Sequence, residues 1–562
     1  MKRAWAPARW ALAILLGWMG SQRAADPAAV AGPRSGTRPG AVGGPGRVWT
    51  DATGKYKVEA ALADVADGKV RLKTADGKMV AIAVDKLSVP DRQYVGQWAE
   101  LKNEYPWLDA NVPFDAVAFL APIPEAENAA MLYPDALFEF SGDMALLFPP
   151  EERGRRQPIA QRRGEEFMRL FEARRKDPRS VDPRAVDAWL AEYETGFKKL
   201  ALAQQRPGCV LQTEYRVDTL FPQVQACREV ARVVAWRTRR DVQRGDFDRS
   251  IQGIETVLRL SRDVRNKGGL IAQLVSVAMD GICCQEVIPD ILLAPGLRPE
   301  HCDRLLAAMA RHEAETPDPF VELYRTAYLE ARNSHYDIQH GTGSFDKGHM
   351  EKMGTRAPVD SPAARLRFFL QLGGTGGRLA VEKYGRRPAQ RMKEIERLVN
   401  SMTAEDYARE AEALSRVYAP VLALAGQTML QRSRACSDPA IVEALRNTTV
   451  AVFLEPQFVF VQALLRDQAA LRGTQCLVAL RRWQLEHRGL PPDLDTLVKA
   501  AGMKAVPIDP YCDQPMRMTV LQGTPVIYSV GADGKDDKAT VVWDLVPGHP
   551  GDYVFRLEPS VR

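Results

Sequence analysis

At 562 residues the chain is too long for a single core, and typical domain sizes divide it into about three or four units. Hydrophobic residues make up 46% and charged residues 26%, ordinary globular values that exclude wholesale disorder. The formal charge is only +5, with Lys and Arg interleaved among Asp and Glu and no basic stripe carrying aromatics, so nucleic acid is not an expected partner.

In chain order, Lys2, Arg3 and Arg9 precede the apolar run Trp10 to Gly20, and small residues follow at Ala24 and Ala25. This is the pattern of an export signal over residues 1–25. The run is shorter than the roughly 20 apolar residues that span a bilayer, so a membrane is a partner only if the segment stays uncleaved. Export to the periplasm, cell surface or medium is the expected location. Residues 26–46 are rich in Ala, Gly and Pro without a period, which is linker composition.

From Arg47 to Val95 the local signals agree on a small β module, spanning residues 47–97. Tyr56, Val58, Ala60 and Leu62 alternate with polar or small residues, as do Val70 and Leu72, then Val80, Ile82 and Val84. Asp67-Gly68 and Asp76-Gly77 supply the positive-φ positions of tight hairpins, so the strands are expected to be antiparallel neighbours. Ser88, Pro90 and Asp91 then have the chemistry of a helix start leading into Arg92 to Glu104. Pro106, Pro113, Pro122 and Pro124 break any longer periodicity after that helix, and residues 98–125 read as a connector.

Residues 126–474 are helical in pattern. Ile251, Ile254 and Leu258 share one face of a helix, and Ile271, Leu274, Val275, Ala278 and Ile282 share a face of the next, with Gly268-Gly269 breaking between them. Short breaks and the absence of a fixed repeat period predict a helical bundle or an irregular solenoid. Residues 475–562 read as a small α+β unit, with a helix through Glu486, a short helix over Leu494 to Ala501, and strands at Met516 to Leu521, Val526 to Val530 and Val541 to Leu545. The expected class is therefore multidomain: a small β-barrel, a large all-α body and a small C-terminal α+β unit. Eight cysteines include no Cys-x-x-Cys pair, and adjacent Cys283 and Cys284 read as small buried hydrophobes.

Trp49-Thr50-Asp51, Thr53-Gly54-Lys55-Tyr56, Val58-Glu59-Ala60, Gly68-Lys69-Val70 and Asp85-Lys86-Leu87-Ser88 resemble the SLA homology domain of endocytic cytoskeleton adaptors, a small SH3-like barrel that also occurs in exported bacterial proteins. In the adaptors this domain binds short Asn-Pro-Phe-x-Asp peptides. The resemblance thus implies a peptide-binding groove, with Lys73 and Lys78 as contacts for an acidic ligand, although both also read as solvated strand residues. Asn111-Val112-Pro113-Phe114-Asp115 is similar to that ligand in composition but differs in spacing, and no internal ligand is expected. At the other end, Val506-Pro507-Ile508-Asp509-Pro510-Tyr511 and the run from Tyr528 to Asp537 resemble the globular part of type II secretion pseudopilins. That resemblance implies a calcium loop, with Asp533, Asp536 and Asp537 as carboxylate ligands and Ser529 nearby. The same aspartates also read as an ordinary surface turn. Asn128-Ala129-Ala130 with Tyr133 and Ala136 looks like the opening of helical domains in exported bacterial proteins and implies no activity.

An enzyme reading rests on His335, His340 and His349 with Asp337 and Asp346, which together would make a metal-dependent hydrolase of the helical body. No His-Glu-x-x-His, Gly-x-Ser-x-Gly or phosphate-cradling loop supports it. His301-Cys302-Asp303 are helix neighbours that point to different faces and form no nucleophile and base. The reading favoured by the sequence is an exported, non-catalytic protein-binding or scaffold protein. Its β module would engage a protein or short peptide partner, and calcium is the only cofactor implied.

Overall fold

The computed structural model describes residues 46–141, 144, 150–177, 181–216, 222–345, 360–366, 397, 399–436, 455–545 and 549–557. The export segment, the linker to residue 45, and His349 and Asp346 of the expected hydrolase cluster lie outside them.

The module is a four-stranded antiparallel sheet in the order β1 (Arg47–Thr50), β2 (Lys57–Ala66), β3 (Lys69–Thr74) and β4 (Met79–Ala83). The hairpins are those that the turn chemistry predicts. Asp67 and Gly68 both take positive φ, which keeps the β2–β3 connection to two residues, and Leu62 pairs with Leu72 across it. At the second turn only Gly77 has positive φ, while the Asp76 carboxylate accepts from Thr74 Oγ1 and the Lys78 amide. Tyr56 does not face the core. It is 77% exposed, because Asp51 accepts from its amide and holds it in a turn ahead of the strand. Neighbouring Ala61 and Leu62 are both buried, and both line the recess that residues 108–117 cover; the register shifts just after them, between Leu62 and Asp64.

Helix α1 (Val89–Glu104) starts on Ser88, whose hydroxyl accepts from the Asp91 amide. Asp91 in turn ties the helix to the first strand: it accepts from the Thr50 amide at 2.8 Å, from Ser88 Oγ at 2.8 Å and from Arg47 at 2.8 Å. Burial raises the Asp91 carboxyl, but these donors outweigh it and hold it below the usual carboxylate range.

The connector expected at 98–125 is a buried wedge. Leu108, Val112, Phe114, Val117 and Phe119 are all buried, and a short helix α2 (Ala116–Leu120) caps on Asp115. Trp107 Nε1 donates to Asn333 Oδ1 at 2.8 Å, Arg332 donates to the Trp107 carbonyl at 3.0 Å, and Phe114 packs edge-on against Tyr328. The sequence marked this stretch by its prolines; the physical reason for its burial is the aromatic residues spaced between them.

Then comes the body: α3 (Tyr133–Leu137), α4 (Pro150–Lys176), α5 (Pro183–Ala191), α6 (Glu194–Ala203), α7 (Pro222–Gln243), α8 (Phe247–Arg265), α9 (Leu270–Gly281), α10 (Ile288–Leu293), α11 (Pro299–Glu315), α12 (Pro319–His340), α13 (Ala404–Leu422), α14 (Met429–Cys436) and α15 (Glu455–Glu486). Helices α7, α8 and α9 pack consecutively, α11 and α9 lie against α15, and α12 lies against α13. Ser261 and Ser276 exchange hydroxyl-to-carbonyl bonds where α8 meets α9, so these two helices approach closely. The run Leu270–Leu293 is long and apolar enough to cross a membrane by length and composition, yet it is packed within this body.

The expected apolar face of α9 is only half right. Val275 is buried, but Ile271, Leu274 and Ile282 are half-buried and Ala278 is exposed. The buried side instead carries Gln273, Ser276 and Asp280, because polar partners on α8 and α11 wait there. The helix continues through a π turn, Ile282–Val287, that buries Cys283 and Cys284. Among the described residues all eight cysteines are free thiols.

The C-terminal unit grows directly out of α15, a 32-residue helix that runs unbroken through the expected division at 474/475. Gly473 on it has no room for a side chain, since a Cβ would lie 2.3 Å from the Phe555 ring. After α16 (Leu494–Ala500) come a two-residue pair, β5 (Ile508–Asp509) with β6 (Gln514–Pro515), and a three-stranded sheet of β7 (Arg517–Leu521), β8 (Thr524–Ser529) and β9 (Tyr553–Phe555). The third strand is thus Tyr553–Phe555 and not Val541 to Leu545. Lys538, Ala539 and Leu545 take positive φ, which turns the chain on either side of the latter stretch and leaves it a single bridge, Val542 to Asp552.

Candidate functional site

A recess lies where the module meets residues 108–117. It is a cavity of about 40 Å³ between Arg47, Trp49, Tyr94 and Trp98 on one side and the connector on the other. Trp49 forms its floor: the ring is 1% exposed, its Nε1 donates to the Ala60 carbonyl at 2.9 Å, and Tyr94 packs edge-on to it at 5.7 Å. Arg47 lies 4.3 Å from the Tyr94 ring centre, held there by its ion pair with Asp91. Burial and the Asp115 charge push the Tyr94 phenol well above its ordinary value, so it stays a donor, and its hydroxyl reaches Asp115 Oδ1 at 2.9 Å.

Of the two lysines implied as ligand contacts, Lys73 lies on this side and donates to Asn111 Oδ1 at 3.1 Å. Lys78 is exposed in the β3–β4 turn, with its backbone engaged by Thr74 and Asp76. The structure therefore gives the two lysines separate surroundings. Arg47 and Tyr94, which the sequence reading did not single out, and Asp91, which it read only as part of a helix start, organise the recess. The available signal was the pair of aromatics, Trp49 and Tyr94, flanking the β module.

In the C-terminal unit the centre of the polar network is Asp509, which is fully buried. It accepts from Ser529 Oγ at 2.8 Å, the Val530 amide at 2.9 Å and the Tyr511 amide at 3.0 Å. Ser529 is thereby turned inward. Asp533 accepts from the Lys535 and Gly551 amides, Asp536 from Tyr528 and Arg517, and Asp537 offers its carbonyl to Thr540. Among the described residues no three His, Cys, Asp or Glu side chains gather as a metal ligand set, so the side chains implied for calcium do not form a cage.

The histidines of the helical body go separate ways. His335 is buried between α12 and α13 with its Nε2 3.9 Å from Glu410, Asp337 pairs with Arg216, and His340 stacks on Tyr336 at the surface. Burial drives the His335 imidazole down to about 3, so it is neutral.

A different polar cluster, absent from the sequence reading, sits in the core. Arg265 is 2% exposed and donates at 2.6 Å to both Asp280 and Asp467, from α9 and α15. His312 on α11 presents Nε2 to Asp280 at 3.2 Å and Nδ1 to the Leu258 carbonyl at 3.1 Å. Burial lifts Asp280, but His312 and Arg265 outweigh it and hold it low. Burial also lifts Asp467, and there it prevails, aided by the Asp280 charge, to about 6. A carboxyl raised on folding contributes stability that is complete below its unfolded value, about pH 4, and lost as pH rises through about 6. The wild type is expected to give up about 2–3 kcal/mol at this group across that window. In Asp467→Asn, urea midpoints measured against pH should lack this part of the slope; an unchanged slope would refute the assignment.

The module is thus a sheet-and-helix domain whose aromatic face is covered by the turns of residues 105–117. Residues 45–102 match the family model of SLA1 homology domain 1. Over 49 residues, 9% of this chain, the sequence is 43% identical to the actin cytoskeleton-regulatory complex protein SLA1 of Yarrowia lipolytica and 45% identical to that of Candida albicans. The matched stretch spans 4% of the length of each relative. No solved structure matches the chain.

Proposed function

We propose that the chain is a non-catalytic protein-binding or scaffold protein whose SH3-like module recognises a short peptide or protein partner. The observation that carries this reading is the match of residues 45–102 to SLA1 homology domain 1, a domain of proteins named for an actin cytoskeleton-regulatory complex. The recess beside Trp49 and Tyr94, with the Lys73 ammonium donating to the Asn111 side-chain carbonyl nearby, supports a ligand that brings a carbonyl or carboxylate. Export rests on residues 1–25 alone, and the pseudopilin likeness of the C-terminal unit on its own residues; neither adds an activity. A hydrolase in the helical body is not favoured, since His335, Asp337 and His340 serve different partners.

The test is a random-peptide display selection on the full chain. Enrichment of one short acidic motif is expected, with affinity falling about tenfold in the Lys73→Ala/Lys78→Ala variant as charge-assisted bonds are lost. Failure to enrich any motif, or enrichment indifferent to both lysines, would overturn the proposal.

A further inference from the structure

Residues 105–117 face two ways. Toward the body, Trp107 and Phe114 lodge against Asn333, Arg332 and Tyr328 of α12. Toward the module, Asn111 takes the Lys73 ammonium and Asp115 takes the Tyr94 hydroxyl, four residues apart, while Leu108, Val112 and Ala116 line the aromatic recess between them. The segment is folded and not a strand, with turns closed by the Leu108 amide on the Tyr105 carbonyl and the Val112 amide on the Asp109 carbonyl before α2 begins, and it meets the module as a docked ligand does: two polar groups fix its place and apolar side chains fill the recess.

The contact is also incomplete. A cavity of about 40 Å³ remains beside Trp49 and Trp98, so the segment covers the face without filling it. Asp115 divides its carboxylate between Tyr94 and the α2 cap on Ala118, both at Oδ1. A segment with two tasks, wedging the body and covering the module, is not shaped for the module alone, and a dedicated ligand has room to fit better.

We infer that residues 108–117 occupy the module's binding face in cis and compete there with a peptide that can take the same turned course and present an amide and, four residues on, a carboxylate. The module is closed in the resting chain and opens by exchange of one segment for another. This inference rests on the recognition reading above and adds its regulation. An effective concentration in the millimolar range or higher for the tethered segment makes an outside peptide bind weakly until the tethered copy is weakened.

The experiment uses the full chain and a fluorescent synthetic peptide of residues 105–117. In Asn111→Ala/Asp115→Ser the connector loses both bonds to the module, while serine keeps a helix-capping oxygen for Ala118. The peptide is expected to bind this variant roughly tenfold tighter than the wild type. Adding Lys73→Ala and Tyr94→Phe should abolish that binding. Equal affinity for wild type and variant overturns cis occupancy and leaves recognition standing; no binding to the variant overturns exchange at this face, while the display selection, repeated on the same full-length variant with its face uncovered, judges recognition independently. Hydrogen exchange guards against misfolding. In the otherwise unaltered chain, Lys73→Ala/Tyr94→Phe should lower amide protection in residues 108–117 while strands β2 and β3 keep theirs, and unchanged protection in the segment counts against the inference.

Discussion

Arg265→Met is expected to destabilise the protein by about 3–5 kcal/mol in urea or guanidinium unfolding at pH 7. The side chain is 2% exposed and is the shared donor of Asp280 and Asp467, on two different helices. Methionine fills much of the volume but leaves two carboxylates facing each other in the core, and of the two His312 reaches Asp280. Removing one member of a buried ionic set costs far more than the set contributes over an apolar replacement, because the remaining charge has no water to turn to. The triple change Arg265→Met/Asp280→Leu/Asp467→Leu should therefore recover most of the loss. A single variant that unfolds at the wild-type midpoint would show that Arg265 is not the neutralising group.

Asp509→Ala should cost about 3–4 kcal/mol and act first on the C-terminal sheet. Its two oxygens satisfy Ser529 Oγ and the amides of Tyr511 and Val530, and alanine leaves these donors buried at the point where β5 meets the end of β8. Each unsatisfied donor costs about 1–3 kcal/mol, with partial relief wherever water enters. Arg517, 3.7 Å from Asp509, also loses one of its two carboxylate partners and keeps Asp536. Tryptophan emission from Trp543, which packs edge-on to Tyr511 at 6.0 Å, gives a local signal. A midpoint shift below 1 kcal/mol would remove Asp509 as the centre of this unit.

The sequence reading was accurate where a short-range rule decides the outcome. Asp67-Gly68 sets the first hairpin and Ser88 starts α1 because each acts on its own turn. It fell short where a partner distant in sequence decides. Tyr56 alternates correctly for a strand, but Asp51 takes its amide and turns it out. The face of α9 was assigned from its aliphatics, whereas Asp280 and Ser276 are drawn inward by Arg265, His312 and Ser261. Prolines marked residues 98–125 as a connector without revealing that Trp107 and Phe114 bind it to the body. The candidate site was legible as a domain, not as the recess, since Arg47, Asp91 and Tyr94 gain their roles only when the first strand and the first helix are brought together.

The Arg265 cluster also has a consequence in time. Its second carboxylate lies 202 residues further along the chain, and at about 5–20 residues per second a ribosome takes about 10–40 s to reach it. Throughout that interval the nascent body lacks α15, against which α9 and α11 are to pack, and Arg265 lacks half of its neutralising charge. The helical body thus completes late, when most of the chain has left the ribosome, and until then the faces of α9 and α11 that α15 covers stay open to water.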